Sequence, residues 1–161
     1  MNIVYLQLGS NLGDRLQQLR KAIVEIEIRI GDIINFSKVY ESLAWGVVGQ
    51  PNYLNQILEV RTKFEAKDIL SLALDIEDLL GRKRKEKWGE RLIDIDILFY
   101  NSDIISSPAL DIPHKHLHKR KFVLVPLNEI AKNYKHPKYM KKVKDLLLEC
   151  DDKTTVHEYV L

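Results

Sequence analysis

Two carboxylates interrupt an apolar run: in Ile93-Asp94-Ile95-Asp96-Ile97-Leu98-Phe99-Tyr100, Asp94 and Asp96 are separated by one residue. Read at period two, Ile93, Ile95, Ile97 and Phe99 share one strand face, and Leu92, Asp94, Asp96, Leu98 and Tyr100 share the other. Side chains two apart on one face stand roughly 7 Å apart, so the two acids can share hard cations but cannot be buried together without a countercharge. Magnesium is commonly held by one or two carboxylates plus substrate phosphates, and the pair therefore suggests a metal-nucleotide site. The competing reading is a strand whose aspartates meet solvent or arginines.

The segment just before the pair favours the first reading. Residues 82–91 carry six basic side chains against two acidic ones, hold Trp88, and are bracketed by Gly81 and Gly89. That composition suits a lid closing on polyphosphate. A second basic segment follows Pro113: His114, His116 and His118 alternate among Lys115, Lys119, Arg120 and Lys121. Three histidines without a cysteine or fourth ligand make a poor structural zinc site, and an anion-binding surface is the better reading. Tyr53 and Asn55 fall on one face of a strand expected over 52–62, a pairing suited to a flat heterocycle with donor and acceptor edges. Glu77 stands near the end of a helix, where the dipole gives an acid no support; a surface acid is the ordinary reading.

These residues need a scaffold. Residues 2–8 read as a strand broken at Gly9-Ser10-Asn11, and Leu16, Leu19, Ile23, Ile26 and Ile30 mark an amphipathic helix stopped by Gly31. A second strand is expected over 33–42, with 44–51 as a loop holding Trp45. A second helix is expected over 66–80 with Gly81 as its cap, and a short strand over 104–110. Residues 122–127 read as a buried strand entering a short helix near 128–131, 140–150 as a helix, and the last residues as an edge strand. Gly9-Ser10-Asn11-Leu12-Gly13 lacks the spacing of a phosphate-binding fingerprint.

The 161 residues carry a net charge of +2 and one cysteine, Cys150. Length implies one domain over 1–161, the near-balanced charge makes no demand for nucleic acid, and the lone thiol fits a reducing cytoplasm. No apolar run approaches the ~20 residues that span a bilayer.

Taken together, the chain resembles the 6-hydroxymethyl-7,8-dihydropterin pyrophosphokinases of folate biosynthesis. Lys87-Trp88-Gly89-Glu90-Arg91-Leu92-Ile93-Asp94-Ile95-Asp96-Ile97-Leu98 carries the most specific match. Gly9 to Gly13, Trp45-Gly46, Gln50 to Asn55, Gly81-Arg82, Pro113-His114 and Arg120 to Leu124 add to it. The resemblance implies an α+β ferredoxin-like sandwich, mainly antiparallel, matching the βαββαβ order. It also implies pyrophosphate transfer from MgATP to the pterin, with AMP as the other product. Asp94 and Asp96 would hold two Mg²⁺ ions and, with Arg82 and Arg91, form the catalytic set. ATP would be held by Glu77, Arg82, Arg84, Trp88, Arg91, Ile97, His114 and Arg120. The pterin would meet Ser42, Ala44, Trp45, Tyr53, Asn55, Asp94 and Phe122. Lys115 and Asp111 depart from the aromatic and the hydroxyl residue common at those family positions. The expected partners are the two substrates alone, with no nucleic acid or membrane, and the expected state is a cytoplasmic monomer. An RNA-binding module on a ferredoxin-like sheet is the reading from a different class. It needs an open aromatic sheet face, and it sets Asp94 and Asp96 against the phosphates.

Overall fold

The computed structural model describes residues 1–43, 49, 51–81 and 92–160. Its strands and helices run β1 (Asn2–Ser10), α1 (Arg15–Arg29), β2 (Asp32–Phe36), β3 (Tyr40–Ser42), β4 (Tyr53–Thr62), α2 (Ala66–Leu79), β5 (Asp94–Tyr100), β6 (Ile105–Ser106), β7 (Asp111–Ile112), α3 (Lys121–Ala131), α4 (Val143–Glu149) and β8 (Val156–Glu158). The main sheet has the order β5-β1-β4-β3-β8, with β2 also on β4, and every pairing is antiparallel. This is the expected ferredoxin-like α+β arrangement.

Both faces of the sheet are covered, which explains why β1 and β4 are buried almost throughout. Leu6, Leu8 and Val60 meet Ile26 of α1 and Ile69 and Ile76 of α2 on one side. Tyr5, Ile57 and Phe99 meet Val123, Leu124 and Leu127 of α3 on the other. Burying one such aliphatic side chain is worth about 1.5–3 kcal/mol, so these two layers hold the sheet that carries the carboxylate pair. Among the described residues no helix is long and apolar enough to cross a membrane.

Several boundaries differ from expectation. The first strand continues through Gly9 and Ser10, which pair with Asn55 and Leu54, and Asp14 rather than the earlier turn caps α1 by accepting from the Gln17 amide at 3.1 Å. Gly31 ends the helix for a steric reason, since a Cβ there would lie 2.1 Å from the Arg61 carbonyl oxygen. The strand expected over 33–42 breaks at Ser37, whose hydroxyl accepts the Ile57 amide at 2.9 Å and takes the place of a ladder carbonyl. Of the strand expected over 104–110 only Ile105–Ser106 forms, in a separate pair with β7. The helix expected over 140–150 is confined to Val143–Glu149, and the expected edge strand near the end of the chain forms as β8 on β3.

Two differences touch the site. A bulge between the Leu6–Ile97 and Tyr5–Phe99 pairs flips the end of β5, so Phe99 joins the α3 layer and Tyr100 the opposite one, reversing the faces expected for both. Residues 121–131 form one helix instead of a strand and a short helix. Val123, Leu124, Leu127 and Ala131 are buried on a single helical stripe, and a short apolar run of this kind does not separate strand from helix by periodicity. Pro126 gives up one backbone bond inside the helix and is itself buried.

Candidate active site

Cross-strand register assembles the site. Asp94 pairs with Gly9, and Gly9 pairs with Asn55; two residues along, on the same face, Asp96 pairs with Gln7. These residues lie on the α3 side of the sheet, beyond the end of that helix. With no side chain on Gly9, the floor between Asp94 and Asn55 is open over two strand spacings, about 10 Å.

Asn55 is 1% exposed and held by both neighbours: its amide NH2 donates to the Ser42 hydroxyl at 2.8 Å, and its Oδ1 accepts from Gln7 Nε2 at 3.5 Å. Ser42 thus contributes its hydroxyl to the amide's orientation. Tyr53 follows on the same face, 3.5 Å from the position a Gly9 Cβ would take. Gln7 was not among the residues singled out in the sequence, and Gly9 was singled out as a turn and a family match, not as a site residue. The signal available was a lone amide in an apolar strand, on the face of Tyr5 and Gly9. Arg15, at the start of α1, donates to Glu41 Oε2 at 2.6 Å and to the Asn52 carbonyl at 2.9 Å, tying β3 to the entry of β4.

Asp94 and Asp96 are half-buried and point the same way, as the period-two reading expects. Arg120, from the segment read as an anion-binding surface, is 8% exposed. Burial pushes its pKa down, while Asp96 and then Asp94 push it back up, so the guanidinium is the countercharge that faces the pair. Arginine stays protonated in such a place. Its guanidinium carbon lies 5.7 Å from the centre of the Phe122 ring, which the first turn of α3 sets half-buried beside the carboxylate strand.

On the outer edge of β5, a cavity of about 210 Å³ is lined by Leu70, Asp96, Ile97, Leu110, Asp111 and His114. The apolar walls Leu70 and Leu110 were not anticipated; they come from α2 and from the turn before β7. His114 is tied to β5 by its amide, which donates to the Leu98 carbonyl at 3.0 Å. Its Nδ1 accepts the His116 amide at 3.2 Å, so the neutral ring carries its proton on Nε2 and presents a donor. Burial, aided by Arg120 and neighbouring cations, lowers its pKa to about 4. His136 behaves alike: its Nδ1 accepts the Lys138 and Tyr139 amides, and burial lowers it to about 4.

For both histidines the unfolded chain binds a proton near pH 6.5 and the folded chain only near pH 4. Their contribution to stability is therefore full above pH 6.5 and is lost as pH falls toward 4. His136→Asn keeps an acceptor where Nδ1 stands. We expect this variant to flatten the acid limb of a Tm-against-pH curve, cutting proton uptake on unfolding between pH 4.5 and 6 by about one. An unchanged limb would contradict the assignment.

Glu77 is buried, 1% exposed, and its Oε2 accepts the backbone amide of Ile95 at 2.7 Å. It is not the surface acid that its place near a helix end suggests. Six other residues singled out in the sequence, Ala44, Trp45, Arg82, Arg84, Trp88 and Arg91, lie outside the described residues, as do the centres of the two expected loops.

The arrangement combines a carboxylate pair with hard oxygen donors, a buried arginine, a neutral imidazole donor and an amide-lined pocket. It resembles a site for a polyphosphate beside a polar heterocycle. Comparison with known proteins agrees. The profile of the family described as 7,8-dihydro-6-hydroxymethylpterin-pyrophosphokinase (HPPK) matches residues 5–132. The chain is 44% identical over 145 residues to the 2-amino-4-hydroxy-6-hydroxymethyldihydropteridine pyrophosphokinase of Aquifex aeolicus, covering 90% of each chain. It is 38% identical over 131 residues to the Bacillus subtilis protein of the same name, covering 81% of this chain and 78% of that one. Among solved structures it resembles an HPPK-DHPS crystallised with substrates (TM-score 0.74, 17% identity) and wild-type Plasmodium falciparum HPPK-DHPS (TM-score 0.72, 19% identity). Each likeness covers 92% of this chain and 43% of the other, so the chain spans less than half the length of those proteins. At these identities the structural likeness speaks to the fold. By the match of the family profile and the identity to its curated relatives, the chain belongs to the 7,8-dihydro-6-hydroxymethylpterin-pyrophosphokinase family.

Proposed function

We propose that the chain transfers pyrophosphate from ATP to 6-hydroxymethyl-7,8-dihydropterin, yielding AMP and the pterin diphosphate. The observation that carries this reading is the register row Asp94–Gly9–Asn55, which sets the carboxylate pair and an oriented amide on one open floor. The hydroxymethyl oxygen attacks the β-phosphorus and gives its proton to solvent water. The bond from that phosphorus to the α–β bridging oxygen breaks, and its electron pair leaves on AMP.

The chain's own residues supply position and charge. Asn55, oriented by Ser42 and Gln7, offers hydrogen bonds to the pterin edge, and Tyr53 and Phe122 flank its ring. Arg120 and the Nε2–H of His114 face the phosphates, while Ile97 and Leu70 wall the cavity that takes the nucleoside. Ala44, Trp45, Arg82, Arg84, Trp88 and Arg91 keep the roles expected from the resemblance. Asp94 and Asp96 fit Mg²⁺: both are hard, half-buried, co-facial oxygen donors. A magnesium ion held by one or two carboxylates takes phosphate oxygens and water at its other positions. When bound, the metal neutralises charge on the phosphates; we take the number of ions as two. We read residues 1–161 as one pyrophosphokinase domain acting as a cytoplasmic monomer on these two substrates, without nucleic-acid or membrane partners. Much of the sheet face that an RNA-binding reading requires is covered by α3.

Two measurements bear on the reading. ATP labelled at the γ-phosphorus should deliver its label to the pterin product, and label found only in inorganic phosphate would refute it. Asn55→Ala should raise the KM for the pterin about tenfold or more, the size of one lost buried hydrogen bond, with the KM for ATP within about twofold. An equal rise in both would remove Asn55 from the pterin pocket.

A further inference from the structure

The start of α3 carries two residues of the proposed site, Arg120 at the cap position and Phe122 in the first turn, and the amide between them belongs to Lys121. The leading amides of a helix have no partner within it, and arginine has no acceptor with which to cap one. Here the acceptor comes from another part of the chain: Asp152 Oδ2 takes the Lys121 amide at 3.0 Å. Its Oδ1 takes the Thr154 amide at 2.9 Å, so both carboxylate oxygens are engaged and the group is aimed at the helix. Burial raises the Asp152 pKa, but the hydroxyl and amide of Thr154 and the amide of Lys121 outweigh it and hold the group below its ordinary value. The cap is therefore charged, which the helix dipole favours.

Beyond Thr155 the same segment becomes β8, whose Val156 lies opposite Ser42, the residue whose hydroxyl orients Asn55. The Tyr159 amide donates to the Val39 carbonyl at 2.8 Å, and the Arg15 guanidinium carbon lies 5.7 Å from the centre of the Tyr159 ring. Residues 152–159 thus reach from the Phe122 side of the floor to the Ser42 side, and pairing at one end fixes the carboxylate at the other.

We infer that Asp152 is a positioning residue of the pterin pocket: through the Lys121 amide it holds the first turn of α3, and with it the Phe122 ring. The inference rests on the reading of Phe122 as a wall of that pocket. A frayed first turn leaves the ring in its binding position for only a fraction of the time, and the apparent affinity falls by that fraction.

The test measures binding of 6-hydroxymethylpterin, the oxidised form of the proposed substrate, in the presence of Mg²⁺ and a non-hydrolysable ATP analogue, together with thermal melting and hydrogen exchange at Lys121. Asp152→Ala should expose the Lys121 amide to fast exchange and weaken the pterin about tenfold per folded molecule, the size of one lost cap. Asp152→Asn keeps an oxygen acceptor and should stay within about threefold of the parent chain. In a Phe122→Ala background the same Asp152→Ala step should cost less than about twofold, because the ring it positions is gone. A tenfold loss that persists without Phe122, or an Ala variant that binds the pterin as the parent does, would overturn the inference and leave Asp152 a purely structural cap. If Asp152→Ala does not fold, Asp152→Asn decides: near-parental affinity with a slow Lys121 amide is the expected result, and a tenfold loss refutes it. A parent chain that binds no pterin would overturn the reading of the pocket and this inference with it, whereas failure of the inference alone leaves parental binding intact.

Discussion

Asp96→Asn is expected to lower Mg²⁺-dependent turnover by about a thousandfold while leaving the ligand-free protein as stable as the parent, or more so. The amide keeps shape and volume. What it removes is one of two negative charges that share a strand face and are opposed by Arg120 among the described residues. Two carboxylates against one buried guanidinium leave a net negative charge, and the substitution brings the three groups nearer to balance. A thousandfold corresponds to about 4 kcal/mol of transition-state stabilisation, within the range for charge placed against a reacting phosphate. Kinetics paired with a thermal melt separate this from a structural role. A lowered Tm with nearly intact turnover would make Asp96 a partner of Arg120 and nothing more.

Arg120→Ala carries the second large effect, and here the structure changes the expectation. From its basic segment and the resemblance, Arg120 is a phosphate contact on an anion-binding surface, whose loss impairs turnover more than folding. It is in addition 8% exposed, over the Phe122 ring and opposite the aspartate pair. Removing a buried cation from two carboxylates costs on the order of 3 kcal/mol of stability, so Tm and turnover should both fall. Turnover per folded molecule should fall further still, by about a hundredfold, because the same cation faces the phosphates. A variant whose specific activity per folded molecule matches the parent would leave Arg120 a purely structural residue.

Most of the fold was legible in the sequence because the elements that make it have strong, uninterrupted periods. Leu6 and Leu8, and Ile93, Ile95 and Ile97, alternate cleanly, and Leu19, Ile26, Ile69 and Ile76 return at helical spacing. Residues 121–131 were not legible, because Val123, Leu124 and Leu127 satisfy a buried strand as well as a helix, and Pro126 argues against a helix that packing nevertheless holds. In the site, the aspartates were found from local spacing alone, since a strand of period two puts i and i+2 together. The groups that complete it are set by register between distant segments. Gly9 is opposed to Asp94 and Asn55, Glu77 reaches Ile95 across eighteen residues, and Leu70 meets Leu110 at the cavity. Local patterns do not encode such meetings. The sequence could suggest that Glu77 was unusual for a helix end, but only burial against β5 explains why.

The most direct test is the identity of the nucleotide product. The protein is mixed with ATP, Mg²⁺ and 6-hydroxymethyl-7,8-dihydropterin, and the nucleotides are separated at several times. Attack at the β-phosphorus predicts AMP appearing in step with pterin diphosphate, one for one, and dependent on Mg²⁺. ADP as the product, or no pterin-dependent consumption of ATP, would contradict the account.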